Sequence, residues 1–266
     1  MLKVLVVGAG AVGLGLASFL LQSGCCVSLL VRDDTELVKN GLYRVGIFGE
    51  FHSHSFEIFY GPAKDTKFDF VLVCVKSFDT ENIGRVLQEW LPNSSNIVLC
   101  QNGWGNTEIL SKYFQNVFNA RVITGFIRPQ KNKVDVTVHA QPVHLGSLLG
   151  GNLNCLEPLA KVLEEGGLPS AVTPYIAKDL WAKMLYNCPL NALGALLKVP
   201  YGLLGEKEST REIMEAIVNE VFSVMRAMGY ETHWENTHVY LEEFYGKLLP
   251  STYEHKSSML QDLRAG

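Results

Sequence analysis

The stretch Val4-Leu5-Val6-Val7-Gly8-Ala9-Gly10-Ala11-Val12-Gly13 decides the fold. Its first four residues are apolar and mostly β-branched, which predicts a buried strand, and the apolar run at 14–21 predicts a helix. The glycines between them follow the pattern GxGxxG, and strand, glycine turn and helix in this order are typical of dinucleotide-binding proteins. The candidate cofactor-binding residues of this turn are Gly8, Ala9, Gly10, Ala11, Val12 and Gly13.

The three glycines of the pattern have separate expected roles. Gly8 allows a tight turn, Gly10 lets the backbone approach a pyrophosphate, and Gly13 lets the helix pack closely on the strand. The N-terminus of the helix then offers free N–H groups and the positive end of the helix dipole to the phosphates. The alternative is a glycine-rich turn without a ligand, but the position of the pattern directly behind a clean strand favours the nucleotide.

The residues after the second predicted strand bear on which dinucleotide binds. That strand covers residues 27–31 and is followed by Arg32, where an NAD-binding protein places an acidic residue for the ribose hydroxyls. A guanidinium suits a 2′-phosphate, so Arg32 favours NADPH/NADP+ as the cofactor. Asp33 is the alternative, as a ribose ligand, if the strand ends one residue later.

Composition excludes several other kinds of partner. With 266 residues, 47% of them hydrophobic and 19% charged, the chain is expected to be compact with a substantial core. The net charge of −4 and the pI near 6.0 argue against nucleic acid or an acidic membrane as the main partner. Four glycines within residues 4–21 argue against a signal peptide or a membrane span there, so we expect a cytoplasmic protein.

Cysteine and histidine spacing predicts no metal site. The six cysteines form no CxxC pair, which indicates reduced, buried thiols. His52 and His54 alternate on a predicted strand with no further ligand cluster near them in sequence, so a surface pair is expected.

Polar residues follow two further predicted strands. The strand at 68–75 is followed by Lys76, and the strand at 96–100 is followed by Gln101 and Asn102. Ligands of doubly wound sheets bind beyond the carboxyl ends of the strands, so Lys76 is a candidate phosphate contact and Asn102 a candidate hydrogen-bonding ligand. The alternatives are a solvated strand end and an ordinary Asn-Gly turn. A hairpin is predicted within 41–60, strands at 121–126, 134–139 and 143–148 are predicted to complete the sheet, and the last strand is predicted at 171–174.

From residue 175 onward strand patterns stop and helical periodicity predominates. Helices are predicted at 176–198, at 210–228 and from 238 to the end. The expected fold is therefore α/β, with an N-terminal Rossmann-type doubly wound sheet and an all-helical C-terminal domain. We expect residues 1–174 to bind the cofactor, residues 175–266 to carry the substrate and catalytic groups, and the chemistry to take place in the cleft between them.

The segment 181–191 carries the most informative polar residues of the C-terminal part. Lys183, Asn187 and Asn191 are spaced by four residues, which places them on one helix face, while the rest of the segment is almost wholly apolar. Polar groups on a buried face need polar partners, and Pro189 is expected to kink the helix. Since burial lowers the pKa of a lysine, Lys183 is the candidate proton donor and the asparagines are candidate ligands. The alternative is a lysine that reaches the surface above two asparagines between helices.

These residues resemble the ketopantoate reductase (2-dehydropantoate 2-reductase) family over essentially the whole chain. The resemblance is carried by GAGAVG at 8–13, VKS at 75–77, QNG at 101–103, LWAKMLYNCPLNAL at 180–193 and HKSSMLQDLRAG at 255–266. The lysine–asparagine motif and SSMLQD are specific to this family. The resemblance implies NADPH-dependent reduction of 2-dehydropantoate to (R)-pantoate in the synthesis of pantothenate and coenzyme A.

The resemblance also implies residue roles. Lys183 would be the general acid that protonates the carbonyl oxygen as hydride arrives. The implied substrate-binding residues are Asn102, Asn187, Asn191 and Ser258. Arg32 and Lys76 match basic residues that hold the 2′-phosphate, and Asn102 would also lie against the cofactor.

The chain departs from the family pattern at two places. The family has a catalytically important glutamate beyond the serine matched by Ser258, and the sequence ends at Gly266 before reaching it. We therefore expect a longer protein whose last helices are missing here. Where some members carry a substrate-binding Asn followed by Gly, this chain has Tyr201-Gly202, which leaves the identity of the 2-oxo acid open.

Two other functions stay open at this point. One is a reductase of another branched 2-oxo acid, with the same fold and the same lysine. The other is a non-catalytic NADPH sensor that controls a partner, for which Lys183 would have no use. A homodimer is a further expectation.

Overall fold

The protein is described here by a computed structural model that covers residues 1–32, 35–62 and 66–265. The chain divides into two compact units, Met1–Ile176 and Ala177–Gly266. The first unit is built of strands and helices and the second is helical, which confirms the predicted α/β fold with a Rossmann-type sheet and a helical C-terminal part. Asp33, the alternative ribose ligand, lies outside the described residues.

The main sheet of the first unit is a Rossmann-type sheet. The strands of this unit are β1 (Lys3–Val7), β2 (Cys26–Leu30), β3 (Leu42–Gly46), β4 (Phe51–Ser53), β5 (Phe56–Phe59), β6 (Phe70–Val73), β7 (Asn96–Leu99), β8 (Asn116–Arg121), β9 (Thr124–Gln130), β10 (Lys133–His139), β11 (Val143–Gly146) and β12 (Ser170–Val172). Eight of them form the order β12-β11-β8-β7-β6-β1-β2-β5, parallel from β8 to β5. The order of strands reverses beside β1, between β2 and β6, and this switch point is where such sheets bind ligands.

The other four strands form a second sheet in the order β4-β3-β10-β9. The hairpin predicted within 41–60 is present, because β3 and β4 pair antiparallel. The prediction that 134–139 and all of 121–126 complete the main sheet is wrong, since β10 and β9 pair with each other and β10 pairs with β3. Alternation of polar and apolar residues identifies a strand but not its partner, which explains the error.

Helix α1 lies between the two sheets. The helices of the first unit are α1 (Ala11–Gln22), α2 (Thr35–Asn40), α3 (Thr80–Gln88), α4 (Asn106–Leu110) and α5 (Glu157–Glu165), with 3₁₀ turns at Ser77–Asp79 and Leu153–Leu156. A Cβ atom built at Gly15 of α1 would lie 2.5 Å from the ring of Phe126 on β9. Eight consecutive residues of α1, from Gly13 to Leu20, are buried. Because this part of α1 is covered on all sides, its residues are apolar apart from Ser18, rather than amphipathic.

A buried arginine joins α1 to the second sheet. Arg44 of β3 is 2% exposed, and its guanidinium carbon lies 4.1 Å from the centroid of the Phe19 ring. It also donates a hydrogen bond to the side-chain oxygen of Gln22. Burial lowers the pKa of Arg44. The aromatic face and the amide oxygen therefore compensate part of the cost of burying this charge.

The second unit confirms two of the three predicted helices. From Ile176 onward the helices are α6 (Ile176–Leu197), α7 (Tyr201–Leu204), α8 (Glu208–Ala227), α9 (Thr237–Glu243), α10 (Leu249–Ser251) and α11 (Ser258–Ala265), with a π-helical turn at Phe244–Leu248. The patterns at 176–198 and 210–228 correspond to α6 and α8. Helix α6 runs through Pro189 as a single helix of 22 residues.

The third predicted helix, from 238 to the end, is wrong as a continuous element. The chain leaves the helical conformation after Ser251 and enters it again at Ser258. In between, the carbonyl oxygens of Tyr253 and His255 accept hydrogen bonds of 2.9 Å from the amides of Gly202 and Tyr201. The segment before α11 is therefore non-helical because its backbone pairs with the start of α7.

Two predictions from composition can be compared with the described residues. No described helix is long and apolar enough to cross a membrane. The six cysteines are free thiols, as expected, although Cys26 is exposed rather than buried.

Candidate active site

The glycine turn after β1 has the geometry that its sequence pattern requires. Gly8 has a φ of +98°, and a Cβ atom there would lie 2.9 Å from the side chain of Val75. A Cβ atom at Gly13 would lie 1.9 Å from the carbonyl oxygen of Gly8, so the helix packs directly on the turn. At Gly10, in contrast, no heavy atom lies within 4 Å of a Cβ position. The turn is thus closed on the protein side and open at Gly10.

A cavity of about 550 Å³ lies at the open side of this turn. Gly8, Ala9, Gly10, Arg32 and Lys76, all predicted to bind the cofactor, line it together. Helix α1 begins at Ala11, and its N-cap residue is Gly10, which has no side chain to cap the helix. The predicted residues Ala11, Val12 and Gly13 form the first turn of that helix and are not among the residues that line the cavity.

Among the described residues, the charges that line the cavity are mostly positive. The side chain of Arg32 is 92% exposed, and its Nη2 atom lies 3.9 Å from Oδ2 of Asp79, which also lines the cavity. Lys76 lines it from the loop after β6, and Arg128 and Lys131 line it from the β9–β10 hairpin. Exposed cations beside an open glycine turn favour a polyanionic ligand with phosphate groups.

Arg128 and Lys131 were not predicted from the sequence to line a site. The guanidinium of Arg128 donates to the carbonyl oxygen of Lys131 at 3.1 Å from Nε and 2.7 Å from Nη2, which holds the hairpin tip in shape. Two basic residues between two predicted strands are the only signal in the sequence. That signal cannot show that the hairpin belongs to a second sheet and reaches the cavity.

Buried polar side chains join the loops after β6 and β7. Thr80 is fully buried, donates to Oδ1 of Asn106 at 2.9 Å and accepts from Nε2 of Gln101 at 2.8 Å. The carbonyl oxygen of Asn102 accepts from Oγ of Ser77 at 3.1 Å and from Nδ2 of Asn106 at 3.4 Å. These bonds hold the loops that carry Lys76 and Asn102. Asn102 itself is exposed at the carboxyl end of β7 and does not line the cavity.

In the second unit, α6 carries the predicted lysine and asparagines. Lys183, Asn187 and Asn191 are each partly buried and lie one turn apart along the helix. Leu185 and Leu190 of the same helix are fully buried. The structure therefore places the three polar side chains in a row on a helix that is otherwise packed into the unit.

Tyr201 contacts this row. Its Oη atom donates to Oδ1 of Asn191, with 2.5 Å between the two oxygens. Tyr201 is 2% exposed, and burial, with a smaller contribution from Tyr186, raises the pKa of its hydroxyl. The hydroxyl is therefore protonated at all physiological pH values and acts as a donor.

Ser258 is the first residue of α11 and is exposed. The residue before it, Ser257, is fully buried, and its Oγ atom accepts from the amide of Leu260 at 3.0 Å. Ser257 thus caps the helix in the usual way, which leaves Ser258 outside that role.

Fold and site together define a class of protein. A Rossmann-type sheet, an open glycine turn with a cationic cavity and a helical unit with a lysine–asparagine row are the attributes of a nicotinamide-dependent oxidoreductase. Residues 4–150 match the family described as ketopantoate reductase PanE/ApbA, and residues 175–266 match the C-terminal domain of that family. The chain belongs to the ketopantoate reductase family, as its motifs indicated.

Individual relatives agree with this assignment. The chain is 33% identical to a 2-dehydropantoate 2-reductase of Aquifex aeolicus, over 100% of this chain and 86% of the relative. It superposes on the crystal structure of a 2-dehydropantoate 2-reductase from Geobacter metallireducens with a TM-score of 0.89 and 28% identity, over 100% of this chain and 88% of the other. A D-mandelate dehydrogenase in ternary complex with NADH and anilino(oxo)acetate superposes with a TM-score of 0.87, over 99% of this chain and 85% of the other. At 22% identity, that likeness concerns the fold alone.

The buried bonds of Thr80 generate a stability prediction. Thr80→Val keeps the size of the side chain but removes the hydroxyl. Oδ1 of Asn106 then loses its hydrogen bond, and Nε2 of Gln101 keeps only its bond of 3.0 Å to the carbonyl oxygen of Val75. We expect the free energy of unfolding to fall by about 2 kcal/mol. Urea unfolding, followed by circular dichroism, measures it.

The matched control is Thr137→Val, because Thr137 is exposed and its hydroxyl makes one bond of 3.3 Å to the carbonyl of Gly125. It should change the free energy of unfolding by less than about 0.5 kcal/mol. Equal losses in the two variants would contradict the importance of the buried bonds.

Proposed function

We propose that the protein reduces 2-dehydropantoate to (R)-pantoate with NADPH, a step in the synthesis of pantothenate and coenzyme A. The observation that carries the proposal is the row of Lys183, Asn187 and Asn191 on α6, in a chain that belongs to the ketopantoate reductase family. The names of the Aquifex and Geobacter relatives support the same substrate.

The geometry of the first unit supports a dinucleotide as its ligand. Gly10 leaves the turn open to a pyrophosphate, and the uncapped start of α1 offers N–H donors to phosphate oxygens. We propose that Arg32 and Lys76 hold the 2′-phosphate that distinguishes NADPH from NADH, with Arg128 and Lys131 adding positive charge to the same cavity. In this proposal residues 1–174 form the cofactor-binding domain.

The second unit would then supply the acid and the substrate ligands. NADPH, when bound, supplies the hydride that is added to C2 of the 2-oxo acid. Lys183 transfers a proton from its ammonium group to the oxygen on C2, so that the carbonyl becomes a hydroxyl, and the amine regains a proton from solvent. Asn187, Asn191 and Ser258 bind substrate oxygens, and Asn102 is proposed as a further ligand of cofactor and substrate. Residues 175–266 are thus proposed as the substrate and catalytic domain.

A second candidate changes only the substrate. Tyr201, a large buried side chain, is bonded to Asn191, one of the proposed substrate ligands. The shape of the substrate pocket therefore depends on a residue that departs from the family pattern. This observation favours another branched 2-oxo acid as the alternative to 2-dehydropantoate. A cytoplasmic location and a homodimer are further proposals.

Substitution of the lysine tests the catalytic role. Lys183→Ala removes the proton donor, so kcat should fall by a factor of about 100 to 10,000, while the Kd of NADPH stays unchanged. Stopped-flow absorbance of NADPH measures the first quantity and fluorescence titration measures the second.

Lys178→Ala is the matched control, because Lys178 lies on the same helix and pairs with Glu231 at 3.1 Å. It should retain wild-type turnover. Wild-type turnover in Lys183→Ala would exclude the lysine as the acid, and NADPH binding without any turnover in the wild type would favour the sensor.

Substitution of Arg32 tests the choice of nucleotide. Loss of a charge-assisted bond to the 2′-phosphate should raise the Kd of NADPH about tenfold to a hundredfold in Arg32→Ala, with little change for NADH. Arg85→Ala is the control, since Arg85 is 68% exposed, pairs with Glu81 at 3.5 Å and does not line the cavity. An equal loss of affinity for NADPH and NADH in Arg32→Ala would contradict the proposed contact.

A further inference from the structure

The hydrogen bond between Tyr201 and Asn191 decides which end of the Asn191 side chain a ligand meets. An asparagine amide has one acceptor oxygen and one nitrogen with two donor hydrogens. The oxygen of Asn191 already accepts a hydrogen bond, because Oη of Tyr201 donates to it at 2.5 Å, and this bond fixes the orientation of the amide. The nitrogen keeps both of its donor hydrogens for a ligand, since it donates to no other residue in the part of the chain that the structure describes.

Tyr201 is held firmly enough to impose this orientation. Its amide donates to the carbonyl of His255 at 2.9 Å, which ties the start of α7 to the segment before α11. Its ring packs edge-on against Tyr186, with 5.9 Å between centroids, and against the ring of His255 at 5.2 Å. A buried ring with these neighbours has little rotational freedom, so the direction of the hydroxyl is fixed by packing.

The orientation of the Asn191 amide is important because of the other polar residues in its row. Lys183 and Asn187 precede Asn191 at one-turn intervals on α6, and the ammonium group of a lysine has donors only. With its oxygen bonded to Tyr201, Asn191 offers a donor from its nitrogen, and Lys183 of the same row is a donor as well. Such a row suits a ligand whose oxygens accept hydrogen bonds, such as the carboxylate and the 2-oxo group of a 2-oxo acid. With its oxygen outward, Asn191 would repel the same oxygens.

We infer that Tyr201 is a positioning residue that turns the donor end of Asn191 toward an acceptor oxygen of the 2-oxo acid. This inference rests on the proposed function and assigns a task to the residue at which the chain departs from the family pattern. Tyr201 acts through Asn191 and does not itself need to touch the substrate. Its ring packs inside the second unit, and its hydroxyl fixes the orientation of the Asn191 amide.

The test is a double-mutant cycle that is measured by binding. Tyr201→Phe keeps the ring and removes the hydroxyl, and Asn191→Ala removes the amide. The Kd of pantoate is measured by calorimetry in the presence of NADP+ for the wild type, both single variants and the double variant. We expect a Kd about fivefold to tenfold higher in Tyr201→Phe, and no further change when Tyr201→Phe is added to Asn191→Ala. The KM for 2-dehydropantoate should rise in parallel, with kcat and the Kd of NADPH unchanged.

Tyr186→Phe is the matched control. Tyr186 belongs to the same aromatic cluster, but its hydroxyl bonds to Oγ1 of Thr252 instead of Asn191. It should lower thermal stability and leave the Kd of pantoate at the wild-type value. A purely structural role for Tyr201 would give Tyr201→Phe the same phenotype.

The outcomes separate the inference from the proposed function. If the wild type binds no pantoate, the proposed function and the inference both fall. If the wild type and Tyr201→Phe bind pantoate equally well, only the inference is wrong. The same holds if Tyr201→Phe still raises the Kd of pantoate when it is added to Asn191→Ala.

Discussion

The backbone of α1 passes so close to the turn after β1 that one methyl group at Gly13 would lie 1.9 Å from the carbonyl oxygen of Gly8. This contact brings the start of the helix to the carboxyl edge of the main sheet. It also inserts α1 between that sheet and the second one, where Phe126 and Arg44 pack against it. The position of the second sheet, and of the hairpin that reaches the cavity, therefore depends on a contact that glycine alone allows.

The two units prepare for chemistry in different ways. In the first unit the backbone offers an open position at Gly10 and the start of α1, and four cations from three separate segments line the cavity beside it. In the second unit the proposed acid and substrate ligands are side chains on one face of α6. Their orientation is set by neighbours such as Tyr201 rather than by the helix itself. Substitutions at the cavity of the first unit should therefore change the affinity for the nucleotide. Substitutions in the lysine–asparagine row of the second unit should change the binding and reduction of the 2-oxo acid.

The sequence predicted the structure correctly where a pattern of residues has a single physical explanation. GxGxxG behind a strand predicted both the turn and the parallel sheet, and the spacing of Lys183, Asn187 and Asn191 predicted their common face. It failed where the outcome depends on distant partners. The sequence of β10 predicts a strand but not that it pairs with β3. The helix breaks before Ser258 because the carbonyl oxygen of His255 accepts from the amide of Tyr201. Arg128 could not be assigned to the cavity for the same reason.

The most direct measurement is the initial rate of NADPH oxidation by the wild-type protein, with 2-dehydropantoate and with 3-methyl-2-oxobutanoate, which lacks the hydroxymethyl group. We expect turnover of both acids, with kcat/KM about tenfold or more higher for 2-dehydropantoate, and much slower oxidation of NADH. A higher kcat/KM for the other acid would make the proposed substrate wrong. Tight NADPH binding with no oxidation by either acid would contradict the account of the protein as a reductase.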